Sequence, residues 1–180
     1  MKYIALLRGI NVSGQKKIIM AELRIHLAEL PIRNISTYIQ SGNIIFDSEE
    51  NDKSILEDSI QKKIAQKYGF EVPIIVFNRD YLLIAESQNP FPKETKEAAN
   101  HAFIAFLKER PKSENIAVFE QLDFSPDQMV LKGKNLYFHC PNGAGKSKIT
   151  NTLFEKKLKV AATSRNFKTV WKLLELSKEN

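Results

Sequence analysis

Four short polar segments carry the side chains best suited to hold a ligand. They are Arg8-Gly9-Ile10-Asn11, Gln40-Ser41-Gly42-Asn43, Pro141-Asn142-Gly143-Ala144-Gly145-Lys146-Ser147 and Thr163-Ser164-Arg165-Asn166. Together they offer guanidinium, amide, hydroxyl and ammonium donors beside glycines that let backbone N–H groups approach a ligand. An ordinary loop needs one turn residue, so a matched set of donors reads as a place built to hold something. The candidate ligand-binding residues are Arg8, Asn11, Gln40, Ser41, Asn43, Lys146, Ser147, Lys148, Arg165 and Asn166. Several of these segments have a structural alternative. Gln40–Asn43 can simply close a hairpin, Arg8 can pair with a helix carboxylate, and Ser164 and Asn166 are ordinary helix-start residues.

Several catalytic motifs are approached and missed. Gly145-Lys146-Ser147 ends like a phosphate-binding P-loop, but that motif needs glycine where Cys140 stands. His139 and Cys140 are neighbours on a strand and point to opposite faces, so they form no dyad. The three histidines, His26, His101 and His139, have no metal-ligand spacing, and no metal or cofactor is implied. No nucleophile or general base is positioned, which leaves open whether the protein is an enzyme. A strand bearing Asn43-Ile44-Ile45-Phe46 lacks the paired aromatics with which RNA-recognition motifs stack bases.

The elements that must position these segments follow from periodicity. Lys2–Arg8 reads as an apolar strand and Gly9–Lys17 as a loop. Met20, Leu23, Leu27 and Leu30 mark a helix stopped by Pro31. Asn34–Gln40 and Asn43–Asp47 read as strands about a tight turn. A helix over 52–68 ends at Gly69, and Val72–Asn78 is a fourth strand. Arg79–Ser87 reads as a connecting helix, and Asn89-Pro90-Phe91-Pro92 breaks the chain.

The order then recurs. Asn100–Leu107 is a strand and Ser113–Leu122 a helix. Gln128–Lys132 and Leu136–Cys140 flank a hairpin turn. Ser147–Leu158 is a helix, Lys159–Ala162 a short closing strand, and a last helix begins at a Thr163 or Ser164 cap. The expected fold is α+β: two ferredoxin-like βαββαβ subdomains, 1–88 and 89–180, with an extra C-terminal helix. Strands Tyr3–Leu7 and His101–Leu107 are apolar on both faces. Their second face needs a cover, either the other subdomain or a second copy in a homodimer.

This topology would bring Arg8–Asn11 beside Gln40–Asn43 on one sheet edge. It would bring Pro141–Ser147 and Ser164–Asn166 to the opposite edge of the second unit. There, helix starts near Ser147 and Arg165 would favour an anion.

Charge sharpens the expectation. The net charge is +6, and residues 1–89 are balanced with eleven basic and eleven acidic residues. Residues 132–172 hold ten basic residues and one acid, Glu155. Such a block attracts a phosphorylated small molecule or a nucleic-acid backbone, or is a solvated basic face. One cysteine allows no internal disulfide, and no stretch is long enough to span a bilayer or serve as a signal peptide. The expected setting is the cytoplasm.

At these same segments the chain resembles the bacterial domain-of-unknown-function 1697 family. Its Arg-Gly-Ile-Asn-Val-Gly-Gly start stands here as Arg8–Gly14, with Ser13 for a glycine. Its Thr-Tyr-Ile-Gln-Ser-Gly-Asn turn is intact as Thr37–Asn43. Its Tyr-Gly-Arg-Ser-Lys loop becomes Ala144–Lys148, and its Thr-Arg-Asn-Trp segment becomes Ser164–Phe167. The resemblance spans nearly the full chain and supports the choice of segments, and it implies no established activity. Ala144 removes an aromatic ring that would stack on a ligand. The reading favours a binding protein for an anionic ligand. The alternatives are an enzyme using Arg, Asn and Gln donors and a protein–protein interaction module.

Overall fold

The computed structural model describes residues 1–12, 14–92 and 95–178. The chain divides into two compact units, Met1–Leu83 with the tail from Lys172, and Ile84–Trp171.

In the first unit the elements are β1 (Lys2–Leu7), α1 (Met20–Leu27), β2 (Arg33–Tyr38), β3 (Asn43–Asp47), α2 (Lys53–Tyr68) and β4 (Ile74–Asn78). The strands form one antiparallel sheet in the order β2-β3-β1-β4. This is the βαββαβ ferredoxin-like arrangement. Tyr3, Ala5 and Leu7 of β1 join Leu23 and Leu27 of α1 and Leu56, Ile60 and Ile64 of α2 in one apolar core. The helical spacing of those leucines and isoleucines is what lays α1 and α2 on the sheet. Ile4 and Leu6, on the other face of β1, are buried as well. Helix α2 starts where the Asp52 carboxylate accepts the Ser54 N–H, and stops where Gly69 turns left-handed at φ 74°.

The second unit repeats the order. Helix α3 (Arg79–Ser87) leads in from the first unit. Then come α4 (Lys96–His101), β5 (Ala102–Leu107), α5 (Ser113–Phe119), β6 (Gln128–Lys132), β7 (Asn135–His139), α6 (Asn151–Leu158), β8 (Ala162–Asn166) and α7 (Phe167–Leu176). The sheet order is β6-β7-β5-β8, again wholly antiparallel. Its core packs Ala105 and Leu107 with Phe119, Phe138, Phe154 and Leu158. Phe154 meets the Phe119 and Phe138 rings edge-on at 6.0 and 5.5 Å.

Three local expectations are corrected. Helix α4 precedes β5, and the Thr95 hydroxyl caps it by accepting the Ala98 N–H. Helix α6 starts at Asn151 with Thr150 as its cap, not at Ser147. Ahead of it, Ala144–Lys146 makes a single 3₁₀ turn. The closing strand is 162–166, not 159–162. Thr163, Ser164 and Arg165 therefore lie inside a strand, and the cap of α7 is Asn166, whose Oδ1 accepts the Thr169 N–H.

Candidate functional site

Both β1 and β2 run antiparallel to β3, so their ends converge: Leu6 and Tyr38 both pair with Asn43. The loop after β1 and the turn after β2 meet there. Leu7 N–H donates to the Gly42 carbonyl at 2.8 Å, and Arg8 N–H to the Pro73 carbonyl at 2.9 Å. Arg8, Asn11, Gln40, Ser41 and Asn43 thus share one sheet edge.

The amides at this edge are mostly engaged with the protein itself. Asn11 Nδ2 donates to the Ile18 carbonyl at 3.0 Å and the Gln40 carbonyl at 2.9 Å, and Asn11 Oδ1 accepts the Ile18 N–H. One side chain therefore closes the Asn11–Ile18 loop and ties it to the Gln40 turn. Asn43 is fully buried and donates to the Tyr38 carbonyl and the Ser41 hydroxyl. Gln40 and Ser41 are exposed.

Backbone geometry is unusual here. Asn11 and Ile39 hold φ of 54° and 49°, a region costly for a β-branched residue such as Ile39. Beside them lies a pocket of about 350 Å³ lined by Asn11, Gly14, Lys17, Ile18, Ile19 and Gln40. Exposed Val12, Ile19 and Ile39 belong to the same loops. Lys16 Nζ donates to the Glu71 carbonyl and sits 5.9 Å from the Phe70 ring centre.

At the second unit's edge the antiparallel pairing gathers the ends of β7 and β8 at the start of β5. Ser147 Oγ donates to Asp127 Oδ2 at 2.6 Å and accepts the Ile149 N–H. A carboxylate thus stands where an anion was expected. Ser164 Oγ donates to Asn151 Oδ1, and Asn166 caps α7. Arg165 is only 8% exposed and donates to Thr163 Oγ1 and the Ser164 carbonyl. Burial lowers its pKa to about 10, so it keeps its charge at neutral pH. Lys146 and Lys148 are exposed. The segments come together as the topology requires, but Arg165 is turned into the protein and the helix starts lie at Asn151 and Phe167.

Cys140 is wholly buried. Desolvation, which disfavours the thiolate, raises its thiol pKa against the lowering effect of a hydrogen bond with Ser147. Among the described residues no group of three His, Cys, Asp or Glu is placed to hold a metal ion. No helix among them is long and apolar enough to cross a membrane.

Two successive ferredoxin-like orders in one chain and these edge segments define a class, and comparison gives its family. The family model described as a protein of unknown function (DUF1697) matches residues 1–137. The chain belongs to that family. Among solved structures it is similar to the conserved bacterial protein SP0830 from Streptococcus pneumoniae. The two are 26% identical over 98% of each chain, with a TM-score of 0.74. No curated protein gives a significant match.

Sequence reasoning missed Lys17 as a pocket-lining residue. The signal was available: Lys16-Lys17 follow Gly14 inside a loop already singled out. It also missed Glu57 and Glu155, whose carboxylates accept strand N–H groups from helix positions. No spacing in the sequence marks those two out.

Proposed function

We propose that the chain is a binding protein for an anionic, phosphorylated small molecule, held at the edge of the first sheet where β1 and β2 end. The observation that carries this reading is the pocket lined by Asn11, Lys17, Ile18, Ile19 and Gln40. Its floor is fixed by the Asn11 side chain, which locks the loop and the turn together. Lys17 lines the pocket, is exposed, and supplies charge there. Exposed Ile19 and Ile39 supply apolar surface for the uncharged part of such a ligand. The left-handed Ile39 supports a functional cause for its strain. The first edge is favoured over the Lys146–Lys148 edge because Asp127 already occupies the Ser147 hydroxyl there. A single buried cysteine fits a reducing cytoplasm.

The test is titration with a mononucleotide, read by amide chemical shifts. The expected result is saturable change confined to 11–19 and 39–42. Replacing the ammonium by Lys17→Gln should weaken binding about ten-fold, the scale of one charge-assisted hydrogen bond. Shifts elsewhere only, or an unchanged affinity in Lys17→Gln, would remove the assignment.

A further inference from the structure

The first unit has a second concavity at the other end of its sheet, where β1 begins and β4 ends. It has a volume of about 600 Å³, and its lining includes Lys2, Asn78, Arg79, Asp80, Ser177 and Lys178. Among the described lining residues, the cationic Lys2, Arg79 and Lys178 stand with one carboxylate, Asp80. Lys2 Nζ uses one donor on the Lys178 carbonyl at 3.1 Å, which fixes the tail against the start of β1. Asn78 caps α3 by accepting the Tyr81 N–H at 3.1 Å. Arg79 is therefore the first residue of that helix. A cation at this position lies at the positive end of the helix dipole, where like charge is disfavoured. The Arg79 Nε is buried and has no hydrogen-bond partner among the described residues. A donor withdrawn from water without an acceptor is destabilising.

We propose that this pocket binds an oxyanion, a phosphate or the phosphate group of an ester. The Arg79 guanidinium would be the principal donor, with Lys2 and Lys178 completing the charge. One anion would accept hydrogen bonds from the Arg79 guanidinium, balance the excess positive charge of the lining and complement the start of α3. The site is separate from the Asn11–Gln40 pocket and depends on neither its occupancy nor its chemistry.

Inorganic phosphate titrated into the full chain at moderate salt tests it, read by amide shifts. The expected result is saturable change at residues 2, 78–80 and 177–178. Arg79→Gln should weaken binding at least about ten-fold, and Lys178→Gln should weaken it by a smaller factor. Lys178 is exposed, so the second variant reports even if Arg79→Gln fails to fold. Changes at 11–19 and 40 report the other pocket in the same spectra, so the two assignments stand or fall separately. Absence of saturable shifts at 2, 78–80 and 177–178 would overturn the proposal. So would binding that neither substitution weakens.

Discussion

At the scale of single residues, the conspicuous polar side chains serve the fold before they serve any ligand. Asn11, Asn43, Ser147 and Asn166 each bond backbone or side-chain groups that loops would otherwise leave exposed or unmatched. Amide clusters are legible in a sequence, but whether each amide faces outward or closes its own loop depends on the backbone. Gly42 shows how tight the closure is. A Cβ there would sit 2.7 Å from Leu7 Cβ and 2.8 Å from Ile10 Cδ1, on a backbone at φ 80°. Leu7 Cβ is anchored in a central strand and cannot swing aside. Gly42→Ala should therefore cost about 2–5 kcal/mol, combining left-handed strain and overpacking. Gly14 has φ 76° but nothing within 4 Å of an added Cβ. Gly14→Ala should show only the conformational part, about 1–2 kcal/mol. Denaturant midpoints of the two variants check this. Equal losses would mean that the close approach of the turn to β1 is not what demands glycine.

At the scale of elements, apolar periodicity carried most of the information. Strand β3, strand β6 and helix α3 fall at the expected residues because alternation, turn pairs and a strand-end asparagine mark them. The reading slipped where cap-type residues crowd together. Ser147, Thr150 and Asn151 are all good caps, but the Ser147 hydroxyl is engaged with Asp127 and Ile149, and with Phe154 and Leu158 packed in the core Thr150 is the cap. Likewise Ala162–Asn166 lacks an apolar run, so its Thr and Ser looked like a helix start. Pairing with β5 makes it a strand. One device recurs in both units without any sequence repeat. The fifth residue of α2, Glu57, accepts the Val76 N–H of edge strand β4 at 2.8 Å. The fifth residue of α6, Glu155, accepts the Ala162 N–H of edge strand β8 at 3.2 Å. Each carboxylate occupies an edge donor that would otherwise invite a foreign strand. Glu57 is buried, so Glu57→Ala should destabilise by about 1–3 kcal/mol by leaving that N–H unmatched. Glu155→Ala, whose bond is longer and only partly buried, should cost less. Hydrogen exchange adds a local readout: Val76 should lose protection in the first variant and Ala162 in the second. If both amides stay protected, the carboxylates do not guard the edges.

At the scale of the whole molecule, charge is divided unevenly between the two units. The first carries thirteen basic and twelve acidic residues, the second fourteen and nine. The basic excess of the second unit is spread over exposed lysines such as Lys132, Lys134, Lys146, Lys148, Lys159 and Lys168, while its buried Arg165 is occupied within the protein. Such a surface attracts a polyanion through its field and through counterion release, without a shaped site. The expected behaviour toward single-stranded DNA is therefore weak binding whose logarithmic affinity falls linearly with the logarithm of salt concentration. Amide shifts should be diffuse over the lysines of the second unit. Lys146→Gln combined with Lys148→Gln should reduce the slope of that salt dependence by about one to two, because fewer phosphates are then neutralised by the protein. A mononucleotide or phosphate held in either pocket of the first unit should behave differently, with a confined footprint and a smaller loss on adding salt, because aligned donors and partial burial are less screened. Fluorescence titrations of a labelled oligonucleotide across a salt series measure the slope. A salt-independent affinity, or a footprint on the first unit, would mean that the basic excess is not what the polyanion contacts.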